Sequence, residues 1–363
     1  VRDSRGSSSA ETSAEWTGSD ARHSASAADA LVRVHAPHPR VPSELTPASR
    51  RESQHRDRFL SVTCVQIHLV DGTYELFRQF LAPRPGHRDD DGVELGATRA
   101  VVSSMMTMLE EGATHIGVAC DHVIESFRND LWETYKNGDG IDPVLKAQFP
   151  LLEDALSALG VTVWPMVEFE ADDALGAAAV VAANDARVDR VIICTPDKDM
   201  GQCVGGKVFQ LDRRRDVLLD AEGVREKFGV LPESIPDWLA LVGDSADGFP
   251  GLPGFGAKTA AALLDRYRHI EAIPDDPKAW NIVGVRGADR LAATLTAGRE
   301  VAARFKVLAT LRLDAPVGEV DEWEWRGPTA ALDDWCTRFG SPRLADRAAS
   351  LATKRGIGKS KLG

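Results

Sequence analysis

The sequence predicts an α/β fold, a mostly parallel central sheet with flanking helices, joined to a second, α-helical region. Three observations carry this. Short Val- and Ile-rich runs alternate with amphipathic helical stretches from Phe59 to Leu219. The runs have the length and uniform apolarity of strands covered on both faces. Beyond Leu219 the strand signal fades and helical spacing takes over, and strand–helix alternation demands crossover connections.

The first 58 residues hold eleven Ser and seven residues from Leu, Ile, Val, Phe, Met and Trp. That is too little apolar surface to offset the entropy of ordering, so they are expected to form a disordered extension. Strands are expected at Val62–Val70, His115–Cys120, Val161–Val167, Arg190–Thr195 and Lys207–Leu211, and helices between them at Gly96–Glu111, Pro150–Leu159 and Ala171–Asn184. The Ala and Leu content of these helices gives good intrinsic propensity. In the second region Ala221–Phe228, Ile235–Val242, Ala257–Tyr267 and Ala288–Thr310 read as helices. A short Glu319–Trp325 stretch and a helix Ala331–Phe339 follow, within a C-terminal segment 314–353 expected to be small α/β or helical. The end, 354–363, has four basic residues, three glycines and no acid, and is expected to be a flexible tail.

Composition narrows the function. No window approaches the ~18 apolar residues of a membrane span. The five cysteines, Cys64, Cys120, Cys194, Cys203 and Cys336, show no C-x-x-C spacing, which argues against a disulfide framework or structural zinc and fits a reducing cytosol. A net charge of −12 excludes a protein that coats nucleic acid by bulk positive charge. It leaves room for acids gathered around bound cations.

The acids fall where ligands of an open α/β sheet collect, beyond the carboxyl ends of the strands. Asp71 follows Val70, Asp121 follows Cys120, and Asp197 and Asp199 follow the fourth run in Thr-Pro-Asp-Lys-Asp. Glu170, Asp172 and Asp173 open the helix after the third run. Asp244 and Asp247 lie three apart in Gly-Asp-Ser-Ala-Asp-Gly, so one helical turn would aim both the same way. One such acid is an ordinary turn or cap residue. Nine together would repel and take up protons unless cations compensate. An all-oxygen set points to Mg²⁺, with Mn²⁺ as substitute, over Zn²⁺. Two such ions could bind the attacking and leaving oxygens of a phosphodiester.

Two further features concern phosphate. Leu252-Pro-Gly-Phe-Gly-Ala-Lys258-Thr259 runs into a helix and lies between two helical stretches. Its glycines allow close approach, and a helix start offers free N–H groups, as in a helix-hairpin-helix that grips duplex backbone without reading sequence. The long segment from about 122 to 150 has the length of a functional loop. It carries Arg128 and Lys136 eight apart, on one side if helical, and Tyr135, which could stack on a base.

These features together resemble the bacterial 5′–3′ exonuclease and flap endonuclease family, which includes the 5′-nuclease domain of DNA polymerase I. The resemblance runs from about Val62 to Leu313. It rests on Leu69-Val-Asp-Gly72, Phe127-Arg128, Tyr135-Lys136, Glu170-Ala-Asp-Asp173, Asp197-Lys-Asp-Met200, Gly243-Asp-Ser-Ala-Asp247 and Gly251–Thr259, in the family's order and spacing. It implies a PIN-like nuclease core over 59–219 with an arch at about 122–150, and a DNA-binding helix–three-turn–helix region over 220–313. By that resemblance Asp71, Asp121, Glu170, Asp172, Asp173 and Asp197 hold a first Mg²⁺. Asp197, Asp199, Asp244 and Asp247 hold a second, while Lys136 and Arg128 steady the scissile phosphate. Gly251, Gly254, Gly256, Lys258 and Thr259 would bind duplex, with K⁺ between backbone carbonyls and phosphate, and Tyr135 would meet DNA in the arch. The implied activity is Mg²⁺-dependent 5′–3′ exonuclease or flap endonuclease action in replication and repair. Its substrate would be DNA with a 5′ flap, nick or recessed end, or an RNA primer on DNA. A stand-alone, monomeric enzyme of the bacterial cytoplasm, at the nucleoid and with no membrane partner, is the expectation. One departure is visible: where the family continues with a basic residue after Tyr-Lys, this chain reads Asn137-Gly-Asp-Gly140, which weakens the arch's grip.

Two alternatives are weighed. A non-catalytic helix-hairpin-helix DNA-binding protein would use Gly254–Thr259 and never cut a flap. A metal-dependent ribonuclease would cut single-stranded RNA faster than a DNA flap.

Overall fold

The computed structural model describes residues 65–83, 86–282 and 285–357. The elements in order are β1 (Val65–Asp71), α1 (Gly72–Phe80), α2 (Gly96–Glu110), β2 (His115–Asp121), the one-turn helices α3 (Arg128–Leu131) and α4 (Pro143–Lys146), α5 (Gln148–Leu159), β3 (Thr162–Met166), α6 (Ala171–Asn184), β4 (Val188–Cys194), β5 (Val208–Asp212) and β6 (Val217–Leu219). The helical region follows with α7 (Ala221–Phe228), α8 (Ile235–Val242), α9 (Ala257–Tyr267) and α10 (Ala288–Ala309), then α11 (Leu332–Arg338) and α12 (Arg343–Lys354).

The sheet order is β3-β2-β1-β4-β5-β6, parallel except for the β5–β6 hairpin. Strand order therefore reverses between β1 and β4. At such a switch point the helices leave to opposite faces and open a crevice at the strands' carboxyl ends. One face carries α2 and α5, packed through Met105, Met106, Leu152 and Leu156. The other carries α6, whose alanines Ala174, Ala177 and Ala178 let the helix lie close on Ile67, Leu69 and Val191. The methionines are fully buried, as adaptable filling.

β1 runs straight into α1 without a loop. Gly72 makes this possible, because a Cβ there would meet the Cys120 Sγ at 2.6 Å and Val118 at 2.8 Å. Register sets Asp71 level with Ala119, and pairs Val70 with Cys194. The acids ending neighbouring strands are thus brought to one edge by strand pairing alone.

The helical region has its own core, in which Trp280, Phe305, Leu239 and Leu264 are buried. It extends under the 122–150 segment, since Trp132 stacks edge-on against Phe305 at 4.9 Å. The chain after α10 then returns to the sheet. Trp323 is buried against Trp164, and Glu324 bridges His115. The Glu319–Trp325 stretch is a 3₁₀ turn, Val320–Glu322, with one bridge. Helices α11 and α12 place Trp335, Phe339 and Leu344 against the α2–α5 face.

The first 58 residues lie outside the described ones. So do the last six, but the start of the expected tail is packed: Lys354 closes α12, and Arg355 donates to the Ala113 carbonyl at 3.0 Å. Cys120, Cys194 and Cys336 are buried free thiols. Burial pushes Cys194 up to about 12, which makes it an inert small hydrophobe. Among the described residues no helix is long and apolar enough to cross a membrane.

Candidate metal centre

Each acid of the sheet edge is placed by a local backbone need. Asp71 caps α1, accepting from the Tyr74 N–H at 2.8 Å on one oxygen and from the Thr195 hydroxyl at 3.0 Å on the other. Asp121, the last residue of β2, accepts from the Ala171 N–H at 2.8 Å, which ties β2 to the start of α6. Glu170 and Asp173 form a capping box on α6, and Asp172 stands between them, half-buried. Asp197 leaves β4 exposed to solvent, and its carboxylate accepts from the Asp199 N–H at 3.0 Å.

The helical region supplies the remaining acids. Asp244 and Asp247 do not lie on a helix, as the spacing had suggested. They sit in a tight loop closed by paired hydrogen bonds between Asp244 and Phe249. Gly243 and Gly251 flank it at φ +87° and +68°, and the two backbones approach so closely that a Cβ on either would meet the other at 2.4 Å or beyond. The loop delivers both carboxylates inward, 3% and 8% exposed. Carboxylate oxygens of Asp199, Asp244 and Asp247 lie within 4.8 Å of one another, and one oxygen of Asp199 is buried without any hydrogen-bond partner.

The electrostatics fit this crowding. Burial raises Asp71 to about 7, helped by neighbouring Asp121 and Asp197. Burial and the Asp197 and Asp71 charges push Asp172 well above the ordinary carboxylate range. Asp199 rises likewise through burial, Asp197, Asp247 and Asp244. Groups so placed hold protons unless cations replace them. An orphaned carboxylate oxygen and an all-oxygen donor set suit hard divalent cations of the Mg²⁺ or Mn²⁺ type.

Two lysines and one arginine face these acids. The Lys136 ammonium sits 2.8 Å from Glu170 and 3.3 Å from Asp247, and Lys198 reaches Asp244 at 2.6 Å. Burial works against the Lys136 charge, yet Glu170 and Asp247 outweigh it and raise its pKa. Lys136 is not on a helix with Arg128: it follows a turn docked on the acid loop, its N–H donating to the Asp247 carbonyl at 3.0 Å.

Three expectations change here. Arg128, expected to steady a phosphate, is 1% exposed. Its guanidinium forks onto Asp173 at 2.8 and 2.7 Å, contacts Glu170 at 3.1 Å, and donates to the carbonyls of Leu308 and Thr310. No donor face is left for a substrate. Asp173, expected as a metal ligand, is fully buried beneath that fork and also receives the N–H groups of Glu170 and Arg312. Tyr135, expected to stack on a base, is 3% exposed and packs in the helical core, its hydroxyl 3.3 Å from Glu170. These three join the arch base to α6 and the end of α10. Conversely, the sequence reading passed over Lys198, although its position between two acids signalled it.

The Gly251–Thr259 turn anchors itself through buried Leu252 and Phe255 and leaves Gly254, Gly256 and Lys258 exposed. Gly254 has φ +87°, open to glycine at no cost. Gly256 caps α9, with Lys258 and Thr259 in its first turn.

Comparison with known proteins agrees with this geometry. Residues 66–229 match the 5′-3′ exonuclease N-terminal resolvase-like domain, and 230–331 match the 5′-3′ exonuclease C-terminal SAM fold. The chain belongs to the 5′-3′ exonuclease family. DNA polymerase I of Pseudomonas aeruginosa is 35% identical to this chain over 266 residues, 70% of this chain and 28% of that one. DNA polymerase I of Bacillus caldotenax is 34% identical over 256 residues, 69% and 28% of the two chains. The chain thus spans just over a quarter of the length of these curated relatives. Among solved structures, a zinc-bound T5 5′-exonuclease superposes with a TM-score of 0.54 at 17% identity, covering 79% of this chain and 98% of that one. The catalytic core of Rad2 with DNA substrate gives 0.52 at 15% identity, covering 80% and 93%. At these identities the likeness is one of fold. Helices α11 and α12 lie beyond both matched domains.

Proposed function

We propose that this family member is a structure-specific 5′–3′ DNA nuclease that hydrolyses phosphodiesters at 5′ ends or flaps with two Mg²⁺. The convergence of Asp71, Asp121, Asp172 and Asp197 at the sheet's switch point with Asp199, Asp244 and Asp247 carries the reading. Asp71, Asp121, Glu170, Asp172 and Asp197 would hold the first ion, and Asp197, Asp199, Asp244 and Asp247 the second. Bound there, the pair supplies a water of lowered pKa and counter-charge for the leaving oxygen.

The protein's own groups do the rest. Exposed Asp197 marks the open side, where a phosphodiester can enter. Lys136, once Glu170 and Asp247 are shared with an ion, keeps an ammonium free for the non-bridging oxygens, a fixed charge of the kind that dominates such reactions. Arg128 and Asp173 position Glu170 from below. The region 220–313, through the amides of Gly254 and Gly256 and the side chain of Lys258, grips duplex phosphates without reading bases, with K⁺ as a candidate bridge. The arch at 122–150 guides the single strand, loosely, because its tip, Asn137–Asp142, has no basic residue. The polymerase relatives are bacterial, which supports work in the cytoplasm on replication and repair intermediates.

The test is one gel: labelled 5′-flap, nicked duplex, 5′-overhang and single-stranded RNA, each with Mg²⁺ and with chelator. Metal-dependent release of 5′ fragments from the DNA substrates is expected. Faster cutting of the RNA, or no cutting in Mg²⁺, would overturn the proposal in favour of a ribonuclease or a binding protein.

A further inference from the structure

Lys198 is bound to Asp244 across the cleft, from the β4 loop to the acid loop of the helical region, at 2.6 Å. Both oxygens of Asp244 are engaged, since the other accepts from the Ala246 N–H at 2.9 Å. Beside it Asp199 has an oxygen with no partner, and Asp247 is shared with Lys136. The acids of the other half differ. Among the described residues, no salt bridge engages Asp71, Asp121, Asp172 or Asp197; only Glu170 of that half is held, by Lys136 and Arg128.

A divalent ion bound to a carboxylate sits at roughly 2.1 Å from the oxygen. An ammonium in hydrogen-bond contact with the same oxygen would stand only roughly 4 Å from the ion, and the two positive charges would repel and compete for the carboxylate. Ion binding therefore favours release of the ammonium. Lys198 can leave: its side chain is one-third exposed, and a four-carbon stem reorients readily.

We propose that Lys198 is a resident counter-cation of the second ion site, a positioning residue that holds Asp244 in the metal-free protein and competes with the ion for it. This rests on the two-ion reading above. Three consequences follow physically. The two sites load in order, the Asp71–Asp172 half first. The second site is kept weak, so that it fills most readily when a substrate phosphate adds negative charge. The released ammonium then lies at the cleft, next to exposed Asp197, on the side where the phosphodiester arrives.

The experiment titrates the full-length protein with Mn²⁺ alone, without DNA, following free Mn²⁺ by electron paramagnetic resonance and heat by calorimetry. The wild type should take up two ions with unequal constants. In Lys198→Met the second constant should tighten roughly tenfold, the scale of removing one nearby like charge at a partly screened site, while the first moves by less than about threefold. Lys198→Arg, which keeps the charge, should stay near wild type. Melting of the metal-free proteins should show Lys198→Met less stable, since Asp244 loses its partner. If Lys198→Met fails to fold, Lys198→Gln takes its place with the same expectation. A second constant that is unchanged or weaker in the neutral variants would overturn the competition and leave Lys198 merely structural. A wild type that binds fewer than two ions would overturn the two-ion reading itself.

Discussion

Replacing Arg128 with Met tests whether this residue builds the site or acts in it. The guanidinium is buried, forked onto Asp173, touching Glu170 and two backbone carbonyls. Met fills a similar volume and leaves the Asp173 charge with only the Glu170 and Arg312 N–H groups. Removing one partner of a buried pair costs about 3–5 kcal/mol, because the remaining charge is stranded. For a folded unit of this size that is a fall in melting temperature of roughly 6–15 °C. Lys in place of Arg should recover little, lacking the planar fork that bonds Asp173 twice. The double variant Arg128→Met with Asp173→Leu should recover most of the loss, since an apolar pair of matched size replaces the stranded charge. Melting curves followed by circular dichroism, with Asp173→Leu alone as the fourth corner, give all four values of the cycle. An Arg128→Met protein that melts within about 2 °C of wild type but no longer cuts would refute this reasoning and return Arg128 to the phosphate.

Three other outcomes are expected. Asp71 carries a pKa of about 7 in the fold, against an ordinary value near 3.8. A raised acid pKa contributes stability that is complete below 3.8 and lost as pH rises through about 7. The chelated protein should therefore melt at lower temperature at pH 8 than at pH 6, and saturating Mg²⁺ should abolish the difference; a flat profile in chelator would contradict the crowding of acids. Asp197→Ala should end Mg²⁺-dependent cleavage while the metal-free melting temperature holds or rises, because an exposed carboxylate among others is removed; retained cleavage would reject its placement between the two ions. Lys258→Ala should weaken duplex binding and reduce the slope of log affinity against log salt by about one, and an unchanged slope in filter-binding titrations would argue against a phosphate contact.

Much of the fold was legible because parallel strands and amphipathic helices each impose a period. The boundaries of α6, α8 and α9 agree with the sequence reading to the residue, since each starts at an acid or glycine cap or at a proline and ends where its apolar stripe stops. Helix α1 was missed because Gly72 reads as a turn, whereas it lets a helix start directly against β2. Helix α12 was passed over although Leu344, Ala348, Leu351 and Ala352 give it a clear amphipathic stripe. At the site, the positions of the acids were readable, for strand ends and switch points follow from topology. Their division of labour was not. What separates Asp173 from Asp172 is Arg128, 45 residues away, and what claims Arg128 is a pair of carbonyls at the end of α10, some 180 residues further on. Spacing along a chain says nothing of such partners. Tyr135 misled for the same reason: beside a lysine in a loop it reads as a free aromatic, and only the tertiary core shows it enclosed.

The acids come from five separated stretches of chain, the last of them the loop closed by Gly243 and Gly251. Until the ribosome has released that loop, a growing polypeptide holds at most part of the cage, with Asp199 facing no partners from the other side. A chain lacking that loop would keep its sheet-edge acids without the carboxylates that face Asp199.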